Sequence, residues 1–234
     1  MKKKQLSKKL LMVFAMSFLL VMVPGMLSAA PAQENAPPIR VAAVGDSITY
    51  GFDIADRFND SYPAQLQRML GSRYTVFNAG LNGVGWMSTT LPNYWDSAEF
   101  RAISMFEPDI ILLMLGSNDS KERFWGLSDL TESMMEMIEH FRNLPSRPFI
   151  YIMTPAFAYG VNWSIIPDTI DNEIVPAIRA FAARESIPLI DIYTATMGMP
   201  QHFPDLIHPH AGGARVIAET VRNRLLQDAA LWAR

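Results

Sequence analysis

One apolar segment constrains the fold more than any other part of the chain. Residues 110–115 are all apolar, and the run ends abruptly at residues 116–119 in the sequence Gly-Ser-Asn-Asp. Because no polar residue alternates with the apolar ones, both faces of such a strand must be covered by other parts of the chain. The pattern therefore predicts a central strand of a parallel sheet over residues 109–115.

The rest of the chain alternates short apolar runs with segments of helical periodicity. Further strands are predicted over residues 41–44, 74–78, 149–153 and 189–191. Helices are predicted over residues 62–70, 97–106, 128–143 and 211–227, and one more is marked by Ile170, Ile174, Ile178 and Phe181. Residues 48–61 and 156–167 are predicted as connections. Such alternation implies βαβ units with right-handed crossovers. We therefore expect an α/β fold, a three-layer α/β/α sandwich with about five parallel strands, in a single domain over residues 39–234.

The first 32 residues have the pattern of a secretory signal peptide. Five lysines are followed by an apolar run over residues 10–23 and then by small residues, with Ala29, Ala30 and Ala32 as candidate last residues before cleavage. The run is shorter than the ~20 residues that a spanning helix needs, although an uncleaved anchor is the alternative. Residues 33–38 are predicted as a flexible lead-in. We expect a secreted or periplasmic protein with no membrane attachment after cleavage.

Charge and cysteine content exclude several classes of function. The chain has 20 basic and 23 acidic residues, and five of the basic ones are lysines of the leader, so the remainder carries a formal charge of about −8. A chain with this balance is a poor nucleic-acid binder. The absence of cysteine excludes a disulfide framework, a thiolate nucleophile, a lipid-anchored cysteine and a cysteine-based zinc site.

Polar and glycine-rich sequences follow three of the predicted strands. The strand at 41–44 runs into Gly45-Asp46-Ser47, and residues 79–86 contain three glycines in six positions, which indicates a loop whose backbone approaches another group closely. In open α/β sheets, ligands bind at the carboxyl ends of the strands. Ser47 is therefore a candidate nucleophile. Taken alone, the Gly-Asp-Ser sequence is equally compatible with a turn and a helix N-cap.

Residues elsewhere supply the partners that a nucleophilic serine needs. His208 is a candidate base, and Asp205 lies three residues before it, so that one short loop can present both side chains. The backbone N–H groups of Ser47 and Gly83 and the side-chain amide of Asn118 are candidate donors to the oxyanion. No metal and no cofactor is needed for this chemistry, and we predict neither.

These sequences occur in the order found in a known family. Gly45-Asp46-Ser47, residues 78–83, residues 116–119 and residues 205–208 resemble the four blocks of the GDSL or SGNH hydrolases. The resemblance covers essentially the whole chain after the leader and implies a flavodoxin-like α/β/α sandwich. It also implies Ser47 as nucleophile, Gly83 and Asn118 as oxyanion donors, His208 as base and Asp205 as the group that orients it. One departure is Val84, where members often carry a polar residue after the glycine, and Gly80 is the alternative to Gly83.

A finer likeness is to secreted carbohydrate O-acetylesterases of this family. It rests on residues 116–121 followed by Trp125, and on residues 189–193 ahead of 203–205. The candidate substrate-binding residues are Asp46, Trp86 and Trp125, and the further candidate aromatic walls are Phe157, Tyr159 and Trp163. The alternative for Asp46 is hydrogen bonding within its own loop, and the alternative for each aromatic residue is ordinary packing.

The function that these patterns predict is a serine esterase acting on small-molecule or glycan esters, most specifically on O-acetyl groups of carbohydrates. The alternatives are a lipid-directed esterase, thioesterase or lysophospholipase, and a non-catalytic glycan-binding protein. A metal site at Asp205, His208 and His210 is a further alternative. The glycine run over 80–85 departs from the G-x-G-x-x-G order of dinucleotide sites, and the chain has neither a Walker sequence nor a G-x-S-x-G elbow. The oligomeric state is not predicted.

Overall fold

The sheet of the protein is entirely parallel. The computed structural model describes residues 36–122 and 124–232, so the predicted signal peptide lies outside the described residues. Five strands pair in the order β2-β1-β3-β4-β5. They are β1 (Ile39–Gly45), β2 (Tyr74–Gly80), β3 (Ile110–Met114), β4 (Phe149–Met153) and β5 (Leu189–Ile190). This is the flavodoxin-like order, in which the chain changes direction across the sheet between β1 and β3.

Helices fill the connections between the strands. They are α1 (Ser47–Tyr50), α2 (Arg57–Asp60), α3 (Tyr62–Leu70), α4 (Ala98–Phe106), α5 (Leu127–Arg142), α6 (Pro167–Thr169), α7 (Val175–Arg184), α8 (Ile192–Thr196), α9 (Ala211–Gln227) and α10 (Ala229–Trp232). A π-helical turn over Ile170–Ile174 joins α6 to α7. Within the described residues, none of these helices is long and apolar enough to cross a membrane.

The sheet separates two apolar cores. On β1, Ala42 and Val44 belong to one core, whereas Val41 and Ala43 belong to the other, as the two-residue period of a strand requires. The first core is completed by α4, α5 and α7, and the second by α3, α8 and α9. The predicted three-layer sandwich is thus confirmed. The described residues from Pro37 onward form one compact unit.

The register brings the chemically important strand ends together. Gly45, the last residue of β1, pairs with Gly80 of β2 on one side and with Met114 of β3 on the other. The segments that follow these three residues therefore leave the sheet side by side. Because Ser47 and Asn118 lie on two of these segments, the fold itself places them at the switch point of the sheet.

Residues 48–61 differ from the prediction, because this segment contains α1 and α2 instead of an irregular connection. Each helix has only four residues, which is too short to show a helical period in the sequence. α1 is stabilised by its caps and by its burial: Asp46 accepts a hydrogen bond from Ile48 N at its start, and Gly51 ends it with φ of 88°. In contrast, α3 and α9 begin and end at the predicted residues.

Candidate active site

Ser47 is the first residue of α1 and is held by the cap that precedes it. The Asp46 carboxylate accepts a hydrogen bond of 2.9 Å from Ile48 N, which fixes the turn between β1 and the helix. As the first helical residue, Ser47 has a backbone N–H without an intrahelical acceptor. The residue is 7% exposed. Both interpretations of Gly-Asp-Ser therefore apply: Asp46 is the cap, and the helix it caps presents the serine.

Ser47, His208 and Asp205 form a continuous hydrogen-bonded chain. Ser47 Oγ lies 2.8 Å from His208 Nε2, and His208 Nδ1 lies 2.6 Å from Asp205 Oδ2. With Nδ1 protonated and donating to the carboxylate, Nε2 is left as the acceptor for the serine hydroxyl. The structure thus brings the three predicted residues together in the geometry that nucleophilic attack by serine requires.

The loop around Asp205 is built so that its carboxylate stays ionised. Asp205 Oδ1 accepts hydrogen bonds from Ile207 N at 3.0 Å and from His208 N at 2.6 Å, and Oδ2 accepts one from Trp163 Nε1 at 2.9 Å. Partial burial opposes ionisation, but the hydrogen bonds from His208, Ile207 and Trp163 outweigh it and lower the pKa of Asp205 to about 2. Asp205 therefore carries its negative charge throughout the range in which a histidine can act as a base.

Gly83 and Asn118 occupy positions suited to oxyanion donors. Both line the same cavity as Ser47, and Gly83 has φ of 83°. Asn118 Nδ2 donates to Val84 O at 2.9 Å, which holds the amide in place with one of its two hydrogens and leaves the other available. The backbone N–H of Gly83 has no protein acceptor in the part of the chain that the structure describes. The three residues predicted to supply the donor groups thus line one cavity.

Gly80, the alternative donor, has a different role. Its N–H donates to Asn78 Oδ1 at 2.9 Å, so this hydrogen is already used. A Cβ at Gly80 would lie 2.2 Å from the backbone nitrogen of Tyr50 in α1. The glycine is therefore explained by the close approach of α1 to the end of β2, and the geometry favours Gly83 as the donor.

Asp119 was not selected from the sequence, yet it connects the two oxyanion loops. Its carboxylate is fully buried and accepts hydrogen bonds from Trp86 N at 3.0 Å, Met87 N at 2.9 Å and Thr90 Oγ1 at 3.0 Å. A Cβ at Gly85 would lie 2.4 Å from either carboxylate oxygen. The third glycine of residues 79–86 was the available signal, since it marks the place where the loop approaches another group. Asp119 ties the loop that carries Gly83 to the end of β3.

The carboxyls of Asp46 and Asp119 are perturbed in the opposite direction from that of Asp205. Burial raises the pKa of Asp46 to about 6, although the hydrogen bond from Ile48 N, the nearby His208 and the Ser117 hydroxyl each lower it. Burial also raises the pKa of Asp119, against the hydrogen bonds that it accepts. Two of the three carboxyls around Ser47 are therefore structural acceptors in a protein interior.

The cavity beside Ser47 is small. Its volume is about 200 Å³, and it is lined by Ser47, Phe52, Asn82, Gly83, Asn118, Lys121, Trp163, Ile165 and His208. Of the predicted aromatic walls, only Trp163 belongs to this lining. Phe52 and Ile165 were missed, because a single apolar residue in a loop carries no periodic signal of where its side chain lies.

The three predicted substrate-binding residues, Asp46, Trp86 and Trp125, do not line this cavity. Trp86 is 0% exposed and belongs to the first core, and Asp46 is a buried helix cap. Trp125 lies outside the cavity lining and donates from Nε1 to Glu173 Oε2 at 3.0 Å. Packing and loop hydrogen bonding, the alternatives considered for these residues, account for their positions.

Phe157 and Tyr159 are likewise packing residues. The Phe157 side chain packs against the first core and that of Tyr159 against the second, and their rings lie 4.7 Å apart. The Tyr159 hydroxyl donates to Thr196 O at 2.6 Å. Neither lines the cavity.

The metal alternative does not fit the geometry of the histidines. Both ring nitrogens of His208 already have partners in Ser47 and Asp205, and Nδ1 of His210 accepts a hydrogen bond from Gly212 N at 2.9 Å. Across residues 36–122 and 124–232, no group of three or more potential metal-binding side chains is present.

Comparison with known sequences identifies relatives of this chain. The model of the GDSL-like lipase/acylhydrolase family matches residues 43–216. An acetylxylan esterase from Xylanibacter ruminicola is 31% identical over 215 aligned residues, which cover 83% of this chain and 44% of that protein. The chain therefore spans less than half the length of this curated relative.

Solved structures of similar fold are also known. A carbohydrate acetylesterase family member from Sinorhizobium meliloti has a TM-score of 0.66 at 22% identity, covering 81% of this chain and 98% of that one. The native aryl esterase of M. smegmatis has a TM-score of 0.66 at 15% identity, covering 81% and 99%. At these identities, the likeness shows the fold.

Proposed function

The chain belongs to the GDSL-like lipase/acylhydrolase family, and from this premise we propose that it is a serine esterase that removes O-acetyl groups from carbohydrates. The observation that carries the acetyl preference is the cavity of about 200 Å³ beside Ser47. Drug-sized ligands occupy pockets of roughly 300–1,000 Å³, so this space suits a short acyl group better than a long acyl chain. The acetylxylan esterase similarity supports a carbohydrate as the alcohol part of the ester.

In the proposed reaction, Ser47 Oγ attacks the ester carbonyl carbon while His208 Nε2 accepts the hydroxyl proton. The N–H groups of Ser47 and Gly83 and the amide of Asn118 donate to the oxyanion that forms. Collapse of this intermediate breaks the bond to the alcohol oxygen, which receives the proton from His208, and leaves Ser47 acetylated. His208 then accepts a proton from a water molecule, whose oxygen attacks the acetyl carbon. Collapse of this second intermediate breaks the bond to Ser47 Oγ, which receives the proton from His208, and the acetic acid leaves as acetate and a proton.

A release assay tests this proposal. The purified protein is incubated with acetylated xylan and other acetylated glycans, and with p-nitrophenyl esters of two to twelve acyl carbons. We expect acetate release from at least one glycan and a rate that falls as the acyl chain lengthens beyond about four carbons, because the cavity is too small for longer chains. The Ser47→Ala variant provides the background. Faster hydrolysis of long-chain esters would favour the lipid-directed alternative, and glycan binding without hydrolysis would favour a non-catalytic protein.

We also propose that the protein works outside the cytoplasm, on the basis of the signal-peptide pattern in residues 1–32. N-terminal sequencing of the protein recovered from its producing cells checks this. A mature chain that begins between residues 30 and 33 is expected, and an intact N-terminus on protein found in the cytoplasm would contradict the proposal.

A further inference from the structure

Trp163 makes a hydrogen bond that the reaction as described above does not use. Its indole Nε1–H donates to Asp205 Oδ2 at 2.9 Å, and the same oxygen accepts the hydrogen bond from His208 Nδ1 at 2.6 Å. Trp163 lies in the connection between β4 and α6, far from Asp205 in sequence. Two donors from separate elements therefore converge on one carboxylate oxygen.

The same side chain also forms part of the substrate cavity. Trp163 is 53% exposed, although its N–H has a defined partner. Its ring meets Phe52 nearly perpendicularly at 5.4 Å between centroids, and His208 at 6.0 Å. The indole is therefore held by its N–H hydrogen bond and by contacts with two rings, while about half of its surface remains exposed and it lines the cavity.

The backbone at this position is strained. Trp163 has φ of 52° and Ser164 has φ of 61°, a left-handed conformation that non-glycine residues rarely adopt. Asn162 holds the segment in place, because its Oδ1 accepts from Trp163 N and its Nδ2 donates to Asp205 O, each at 2.8 Å. Strained residues of this kind cluster at functional sites.

We propose that Trp163 has two roles in ester hydrolysis: its indole provides a flat apolar surface for the ring of the leaving alcohol, and its N–H positions Asp205. The role of the indole as a surface for sugar rings rests on the proposed function. The positioning of Asp205 applies to the hydrolysis of any ester. The leaving oxygen must lie near His208 Nε2 to receive its proton, and Trp163 is beside that histidine. A ring lying on the indole also keeps water from the Trp163–Asp205 hydrogen bond.

Two substitutions separate the roles. Trp163→Phe keeps a flat aromatic surface and removes the donor, whereas Trp163→Ala removes both. Trp125→Phe is the matched control, because its N–H bonds Glu173 outside the cavity. Each variant is assayed with phenyl acetate, whose leaving group is a ring, and with ethyl acetate, whose leaving group is not. Thermal unfolding is measured for each variant, so that activity is compared only between folded proteins.

We expect Trp163→Phe to lower kcat about tenfold for both esters with little change in KM, the scale of a lost hydrogen bond to a charged group. We expect Trp163→Ala to lower kcat similarly and, in addition, to raise KM about tenfold for phenyl acetate alone, the order of one lost aromatic contact. Trp125→Phe should match the wild type. A wild-type kcat in Trp163→Phe would overturn the positioning role, and an equal rise in KM for both esters in Trp163→Ala would overturn the platform role.

A binding measurement extends the test to carbohydrate. The Ser47→Ala protein and the Ser47→Ala, Trp163→Phe double variant are titrated with acetylated xylotriose while tryptophan fluorescence is recorded. We expect a saturable change that is lost in the double variant. If phenyl acetate depends on Trp163 as expected but no acetylated glycan binds or reacts, the proposed carbohydrate function fails and the two roles of Trp163 stand. Binding that causes the same fluorescence change in both proteins would show that the sugar lies elsewhere.

Discussion

The two sides of Ser47 are built on different principles. On the oxyanion side, the ends of β1 and β3 are buried and the glycine loop is partly buried. The carboxyls of Asp46 and Asp119 act there as acceptors for neighbouring N–H and O–H groups. On the base side, Asp205 is partly exposed and is supported by a surface loop with an exposed tryptophan. The pKa is raised for the first two carboxyls and lowered for the third.

This difference in pKa gives the three aspartates two different roles. Burial is the largest cause in all three cases, but only at Asp205 do the donated hydrogen bonds outweigh it. The oxyanion side therefore obtains rigidity from carboxyls whose ionisation is disfavoured. The base side retains a permanent negative charge beside the histidine that must become positive during the reaction.

The largest effect is expected where the two sides meet. Ser47→Ala should reduce kcat by about 10⁴ or more, because the attacking oxygen is lost while the fold is retained. The measurement is initial-rate kinetics with p-nitrophenyl acetate, and labelling by a fluorophosphonate probe should be lost in parallel. Retained labelling or retained turnover would contradict the assignment of the nucleophile.

Breaking the oxyanion side alone should have the next largest effect. Asn118→Ala should lower kcat by about 10²–10³ with KM nearly unchanged, since the donated hydrogen bond is needed mainly in the transition state. Steady-state kinetics with the same ester provides the measurement. A near-wild-type kcat would move the donor role to another group.

A smaller effect is expected from loosening the attachment of the glycine loop. Asp119→Asn replaces a carboxylate oxygen by an NH₂ group, which cannot accept the hydrogen bonds now donated to that oxygen. Because Asp119 attaches the loop that carries Gly83, the Gly83 N–H should lose its fixed position and kcat should fall about tenfold. Thr90→Val is the graded control, because it removes one of the three donors and leaves the carboxylate. If Asp119→Asn lowers the unfolding temperature but not kcat, Asp119 acts only in folding.

The smallest expected effect, and the most direct test of the difference between the two sides, is a change in the pH dependence of stability. For Asp46, the folded pKa of about 6 lies above the ordinary value of 3.8, so its contribution to the free energy of unfolding is present below pH 4 and is lost as pH rises through about 6. A folded pKa of about 6 against 3.8 corresponds to a loss of about 3 kcal/mol. Asp46→Asn should remove this pH dependence in urea unfolding measured between pH 4 and 8.

Asp205 should show the opposite sign. Its folded pKa of about 2 lies below 3.8, so its contribution is present above pH 4 and is lost as pH falls through about 2. Asp205→Asn should therefore flatten the stability curve on the acid side and leave the alkaline side unchanged. The two substitutions should therefore change the slope of stability against pH in opposite directions. A change in the same direction in both variants would contradict the division between the two sides of the site.

The sequence predicted the sheet, the main helices and the convergence of the triad, because these follow from patterns that do not depend on distant contacts. The unbroken apolar run of β3 indicates a strand covered on both faces, and the ends of α3 and α9 are marked by Ser61, Gly71 and the residues around His210. Parallel strands then bring their carboxyl ends to one edge of the sheet. Given that edge, Ser47, Asn118 and the glycine loop have little freedom to be anywhere else.

The burial of individual side chains and the short helix α1 could not be predicted, because they depend on tertiary contacts that produce no periodic pattern in the sequence. Trp86 and Trp163 are both tryptophans in irregular segments, yet one is fully buried and the other is half exposed at the cavity. Residue type alone does not distinguish them. Similarly, the four residues of α1 are helical because of Asp46 and the surrounding packing, and Asp119 is informative only once the loop at Gly85 is seen to lie against it.

The hydrogen bond between Ser47 and His208 joins residues that are 161 positions apart. During synthesis, the nucleophile and both oxyanion loops are made well before the base. A chain that stops before residue 208 therefore has Ser47 but lacks the histidine that activates it. Contacts of such long range are also among the slowest to form. Esterase activity in this molecule would accordingly report that synthesis has passed residue 208 and that Ser47 and His208 have come together, and a shorter nascent chain could not attack esters prematurely.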